Sequence, residues 1–233
     1  MKLQKETIKL QKETSPHGKW YDDACGTAFA LELIGERWAL LIIREMMFGP
    51  RRFTDLRAGL PSISAKVLTE RLEGLEQAGI VQRRQLPPPA ATQVYELTEW
   101  GYLAEESIQA LGRWAAHSPN HDATLPLSAA SLMMSFRTMF DAGRSKGLAL
   151  SGAIRVGTEN FLVEVRSGRL RAERGVPAGP DFAFEAPVAS LIAAVIYGKV
   201  AFADLAPAGL EVSGDQAQAL AFVDLFHLPE KLA

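Results

Sequence analysis

Residues 53–75, FTDLRAGLPSISAKVLTERLEGL, decide the fold of the first half of this chain. They read as a short helix, a tight turn containing Gly59 and Pro61, and a second helix opening at a serine. With that second helix starting near Ser64, Ala65, Leu68, Leu72 and Leu75 gather on one side and pack inward. Lys66, Thr69, Glu70 and Glu73 then face away from the core. This is the pattern of a helix-turn-helix, whose second helix enters the major groove of DNA. Gly79 sits just past the helix, where a left-handed cap is expected. Residues 80–85 and 92–97 read as two strands around Pro87-Pro88-Pro89, the form of a wing.

Upstream, Ala28, Leu31 and Ile34 recur at helical spacing. Trp38, Leu41, Ile42 and Met46 share one face of the next helix, which Ile43 and Met47 broaden and Gly49-Pro50 ends. Downstream, residues 98–118 read as one helix, capped by Thr98 and stopped by Pro119. Leu103, Ile108, Leu111 and Trp114 give it more apolar surface than a small winged domain needs. It serves either as a dimer seam or as packing for its own domain; two-fold readers of DNA favour the seam.

The outward face of the second helix sets the expected contacts. Lys66 can reach a phosphate or a guanine edge, and Thr69 a thymine methyl or a phosphate oxygen. Ser62 and Ser64 can donate to phosphates, helped by the positive helix N-terminus. Glu70 and Glu73 repel phosphate, so only the first turn and a half is expected in the groove. Arg71, toward the helix edge, contacts the DNA backbone or pairs with Asp55 or Glu36. Alternation sends one of Arg83 and Arg84 toward DNA and the other away. Residues 36–84 carry nine basic and six acidic side chains, whereas residues 98–124 carry one base and four acids. A formal net charge of −2 argues against a general polycation and hides this local segregation.

The pattern changes at Leu127. Leu132, Phe136, Met139 and Phe140 line a helical face. Strands are expected over 150–156, 160–165, 169–174 and around Phe182 and Phe184, then an apolar helix over 187–197, a short strand at 210–212 and a closing helix over 217–226. The chain therefore divides into an extension (1–21, with KLQKET at 2–7 repeated at 9–14), a winged helix-turn-helix and dimerisation domain (22–118), a linker (119–126) and an α+β domain (127–233). The fold class is α+β.

A length of 233 residues with 48% apolar content suits two packed domains. One cysteine permits no intrachain disulfide, no run reaches the ~20 apolar residues of a membrane span, and the N-terminus lacks a signal-peptide core. A cytoplasmic protein without membrane insertion is expected. His117 and His121 are four apart, but Pro119 breaks the helix that would align them on a metal. His227 and Asp224 stand alone, and there is no phosphate loop or nucleophile elbow. Neither catalysis, a metal nor a cofactor is expected.

Cys25 ahead of a helix, LELIGERWALLIIREMMFGPRRFTDLRAGLPSISAKVLTERLEGLEQAGIV (31–81), VYELTEWG (94–101) and the tryptophan of LGRWA (111–115) occur in an order that resembles the HxlR-type winged helix-turn-helix regulators of bacteria. The resemblance spans roughly residues 20–118. It implies a homodimer, joined by the first helix and the helix after the wing, on inverted-repeat double-stranded DNA. It also implies DNA contacts from Arg51, Arg52, Ser64, Lys66, Thr69 and Arg71 and from the wing. The wing tip PPPAATQ is uncharged where such regulators often carry basic residues. Cys25 matches a position at which some of them sense oxidants or electrophiles. Asp22 and Asp23 would raise its pKa and a helix N-terminus would lower it; a buried small apolar residue is the favoured alternative.

RVGTENFLVEVRSGRLRAERG (155–175), DFAFEAPVASLIAAVIYGK (181–199) and LEVSGDQAQALAFVDLF (210–226) are similar to sterol-carrier-protein (type 2-like) domains. That resemblance implies a hydrophobic small-molecule effector in an apolar tunnel, with Phe136, Met139, Phe140, Leu191, Val195, Phe222 and Phe226 as lining candidates or as ordinary core. A lipid- or hydrophobic-ligand-binding protein, or an accessory protein, with a degenerate DNA-binding half is the alternative function.

Overall fold

The computed structural model describes residues 21–232; the repeated KLQKET segment lies outside them. Two compact units divide between Ala104 and Glu105.

The first unit contains α1 (Gly26–Ile34), α2 (Ala39–Met46), α3 (Phe53–Gly59) and α4 (Ala65–Gln77). The wing strands β1 (Val81–Gln85) and β2 (Gln93–Leu97) and the short helix α5 (Glu99–Tyr102) follow. Ile42, Ile43 and Met46 of α2, Leu56 of α3 and Leu68, Leu72 and Leu75 of α4 form its buried core. Ala65, expected among them, is exposed, because the first turn of α4 projects beyond the leucine face. Trp38 lies before α2 rather than within it, as an N-cap residue at φ 83°. Leu41 is partly exposed on the helix's open side.

Ser64 caps α4, its Oγ accepting the Val67 N–H at 3.2 Å. Gly79 follows α4 at φ +73°, as the cap position demands. β1 and β2 pair antiparallel from Val81↔Leu97 to Gln85↔Gln93. Arg51 and Tyr95 exchange two backbone hydrogen bonds of 2.8 Å, which adds a one-residue bridge beside the wing. Thr98 caps α5 by accepting the Gly101 N–H, and its hydroxyl donates to Gly79 O at 2.8 Å.

The single helix expected over 98–118 is two. Leu103 N–H bonds back to Trp100 O at 3.1 Å, a tight three-residue turn that separates α5 from α6 (Ala104–Ala116).

The second unit holds nearly all of α6, then α7 (Ala129–Met139), β3 (Leu150–Val156), β4 (Glu159–Arg166), β5 (Arg169–Arg174) and β6 (Phe182–Ala186). It continues with α8 (Ala189–Gly198), α9 (Phe202–Leu205), β7 (Glu211–Gly214) and α10 (Gln216–Val223). The five strands run in the order β5-β4-β3-β6-β7, antiparallel except for the β3–β6 pair. Ile154, Phe161, Val163, Phe182 and Phe184 alternate onto one buried face. Charged pairs, Arg155 with Glu185 and Arg171 with Glu164, mark the other face.

The boundary read from sequence at residue 118 thus differs from the compact division, because α6 is fastened within the second unit. Arg137 bridges to Glu105 at 2.9 Å, and Arg113 donates to Thr138 O at 2.7 Å. Phe140 and Phe226 also lie outside the helices expected to carry them and face each other across an isolated backbone bridge.

Candidate nucleic-acid interface

The first turn and a half of α4 presents the outward face that the leucine spacing implies. Lys66 is 86% exposed at its side chain, with Glu70 one turn on at 3.9 Å. Thr69 donates its hydroxyl to Ala65 O at 3.0 Å, which leaves its methyl and oxygen lone pairs on the surface. Ser62 and Arg52 are exposed. Ser64 accepts from the backbone and keeps its own hydroxyl proton to donate. A helix N-terminus, two serines and a lysine thus share one surface, a combination of donors and positive charge suited to an anion.

The remaining arginines have partners within their own unit. Arg51 is buried, 7% exposed, and its backbone is paired with that of Tyr95. Arg71 turns back to Glu36 at 2.9 Å and donates to Arg37 O at 3.3 Å, the internal-pair option of its two readings. Arg83 pairs with Glu76 at 2.9 Å and lies over the Tyr95 ring, while Arg84 pairs with Glu96 at 2.8 Å. Both wing arginines therefore meet carboxylates of their own unit. Glu36, Glu76 and Glu96 are the residues that sequence reasoning did not weigh or left as alternatives, and long-range pairing leaves no periodic trace.

Cys25 is exposed at the N-terminus of α1, which corrects the favoured expectation of a buried residue. The backbone amide of Thr27, then that of Ala28 and the Thr27 hydroxyl, hold its thiol below the ordinary value. Exposed apolar side chains mark two helices separately: Phe29 and Leu31 on α1, and Leu111 and Trp114 on α6.

The tunnel candidates divide between a ring cluster and partly exposed positions. Phe136, Phe222 and Phe226 touch ring to ring, with centroids 4.9–5.6 Å apart, the spacing of a packed core rather than of walls across a tunnel. Val195 is buried, whereas Met139, Phe140 and Leu191 are partly exposed.

A three-helix core, a capped second helix of the helix-turn-helix and a two-stranded wing define a winged helix-turn-helix DNA-binding domain. Residues 33–123 match the HxlR-like helix-turn-helix family. Over 86 residues the chain is 43% identical to the HTH-type transcriptional regulator YodB of Bacillus subtilis, covering 37% of this chain and 77% of that protein. It is 32% identical to the uncharacterized HTH-type transcriptional regulator YtfH of Escherichia coli over 97 residues, 42% of this chain and 77% of that one. The solved reduced form of YodB is 38% identical over 43% of this chain and all of its own, with a TM-score of 0.39. The chain belongs to the HxlR-like helix-turn-helix family of DNA-binding transcriptional regulators. These relatives are regulators, not enzymes. The family match ends before α7 begins. Among the described residues no helix is long and apolar enough to cross a membrane.

Proposed function

We propose that the protein acts as a homodimer on an inverted-repeat operator, reading each half-site with the first turn and a half of α4. The observation that carries this reading is the exposure of Ser62 and Ser64 ahead of α4, and of Lys66 and Thr69 on the side of α4 opposite its buried Leu68, Leu72 and Leu75. Arg52 is the basic residue that supports a backbone contact beside them. Arg71, Arg83 and Arg84 contribute to DNA binding only by sharing their guanidinium groups with phosphate, since each already has a carboxylate partner. The apolar side chains of α1 and of α6 support the seam between two copies.

The second unit acts as the sensing half. Its mixed five-stranded sheet is compatible with a sterol-carrier-like domain. Its packed phenylalanines favour an effector seated outside the aromatic core over a hydrophobic molecule within it.

Selection of bound duplexes from a random pool at physiological salt tests the reading. A palindrome whose half-sites are about one helical turn apart is expected. Enrichment of unpaired half-sites by a monomer in sedimentation overturns the homodimer, and no enrichment by Lys66-intact protein overturns the groove assignment.

A further inference from the structure

A groove of about 460 Å³ opens in the second unit, between the start of α6 and strand β5. Glu105 and Gln109 of α6 form one wall. Arg137 and Phe140, at the end of α7, form the second, and Leu170 and Arg171 of β5 complete it. The volume falls within the range of small-molecule sites.

Arg137 is the polar centre. Its Nη1 donates to Glu105 Oε1 at 2.9 Å and its Nη2 to Ala172 O at 2.5 Å. Gln109 Nε2 donates to the same Glu105 oxygen at 2.9 Å. Two donors thus converge on one carboxylate oxygen that belongs to the first turn of α6. Arg171 lies opposite, held by Glu173 through two bonds of 2.6 Å and by Glu164 at 3.1 Å. That pairing keeps the Glu173 carboxyl below its usual value. Among the lining residues there are two guanidinium groups and one carboxylate, and Phe140 and Leu170 supply half-buried apolar surface beside them.

We propose that this groove binds a small organic acid, a single carboxylate on a compact apolar body, with the carboxylate taking the place of Glu105 on Arg137. A planar carboxylate matches the fork of a guanidinium better than any neutral group of the same size. Gln109 is within the same cluster and supplies the second donor, while the apolar body covers Phe140 and Leu170. Binding displaces the bridge that fastens the first turn of α6 to α7, and α6 is the helix that the dimer reading uses. That regulatory consequence rests on the DNA-binding reading; the binding itself does not.

The test is calorimetric titration of the full chain, without DNA, with benzoate and hexanoate against benzamide and 1-hexanol. Saturable binding of one acid per chain is expected, with none of the neutral analogues. Arg137→Gln weakens it about tenfold or more, the effect of one charge-assisted contact. Glu105→Gln removes the internal competitor and tightens it severalfold. Leu170→Trp, which fills the groove and leaves Arg137 in place, abolishes it and serves where Arg137→Gln fails to fold. No binding of either acid at millimolar concentration, equal binding of the neutral analogues, or wild-type affinity in Glu105→Gln and Leu170→Trp overturns the site. Operator selection is run separately, so loss of DNA binding with retained acid binding overturns the regulator reading alone.

Discussion

The guanidinium of Arg71 donates to the carboxylate of Glu36 at 2.9 Å, which ties the outer edge of α4 to the turn ahead of α2. The same side chain reaches Arg37 O. Arg71 therefore makes two contacts from α4 to the Glu36–Arg37 turn. The pair is partly exposed, so Arg71→Gln lowers stability by no more than ~1 kcal/mol. Operator affinity falls less than on loss of Lys66, and Glu36→Gln reproduces the stability change. Urea unfolding and gel-shift titration of both variants check this; a larger affinity loss for Arg71→Gln than for Lys66→Ala assigns Arg71 to phosphate instead.

Lys66→Ala combined with Thr69→Ala removes specific operator binding and leaves the oligomeric state unchanged, since both side chains are exposed on the unpacked face of α4. Lys66→Ala alone reduces the slope of log affinity against log salt by about one if it meets a phosphate. A double variant that still protects the operator in footprinting overturns the assignment of α4 to the groove.

What could be read in the sequence was local or periodic. Ser64, Thr98 and Gly79 announce caps by residue type, and Leu68, Leu72 and Leu75 announce a buried face by spacing. Strands β3 and β5 were legible to the residue from alternation and bounding glycines. What sequence hides is pairing between distant positions. Nothing in RR at 51–52 says that one arginine is buried and bridged through its backbone to Tyr95 while its neighbour faces solvent. The wing arginines read as basic until Glu76 and Glu96 are found beside them. The attachment of α6 to α7 is likewise set by Arg137 and Arg113, whose partners no spacing rule selects.

Thr98 links α5 to the turn after α4 by capping α5 and donating to Gly79 O. Thr98→Ala lowers stability by about 1–2 kcal/mol, the usual loss of an N-cap with an added bond. Gly101→Ala is more severe in kind, because a Cβ there would stand 2.2 Å from Ile80 O, a backbone atom that cannot step aside. Thermal unfolding of the two variants should rank them in that order, and an unshifted Gly101→Ala would mean that α5 is not seated on Ile80.

The Cys25 thiol is held below its ordinary value first by the Thr27 amide, then by the Ala28 amide and the Thr27 hydroxyl. Because the folded-state value is depressed, the thiolate is populated at lower pH in the native protein than in the unfolded chain. Its favourable contacts are present above the unfolded value and are lost as pH falls through the folded one. Iodoacetamide alkylation of native protein should reach half its limiting rate at a lower pH than in urea, and Thr27→Val should move that midpoint upward. Coincident native and urea profiles would remove any claim of activation at this cysteine.

Lys231 places its ammonium against three carbonyls at and beyond the end of α6, donating to Ala116 O at 3.1 Å, Ser118 O at 3.0 Å and His121 O at 2.9 Å. Leu232 N–H adds a bond to His117 O at 2.8 Å, and the His117 ring meets Glu230 O at 2.9 Å. A cation satisfying the last carbonyls of a helix stabilises that end against fraying. Lys231→Met keeps the stem and removes the charge and donors. Amide exchange in residues 113–121 should then accelerate while exchange in β3 and β4 stays unchanged, because those strands take none of these bonds. Uniform acceleration across the sheet would instead make Lys231 part of the global stability of the second unit, and no acceleration at 113–121 would show that Leu232 and Glu230 hold α6 without it.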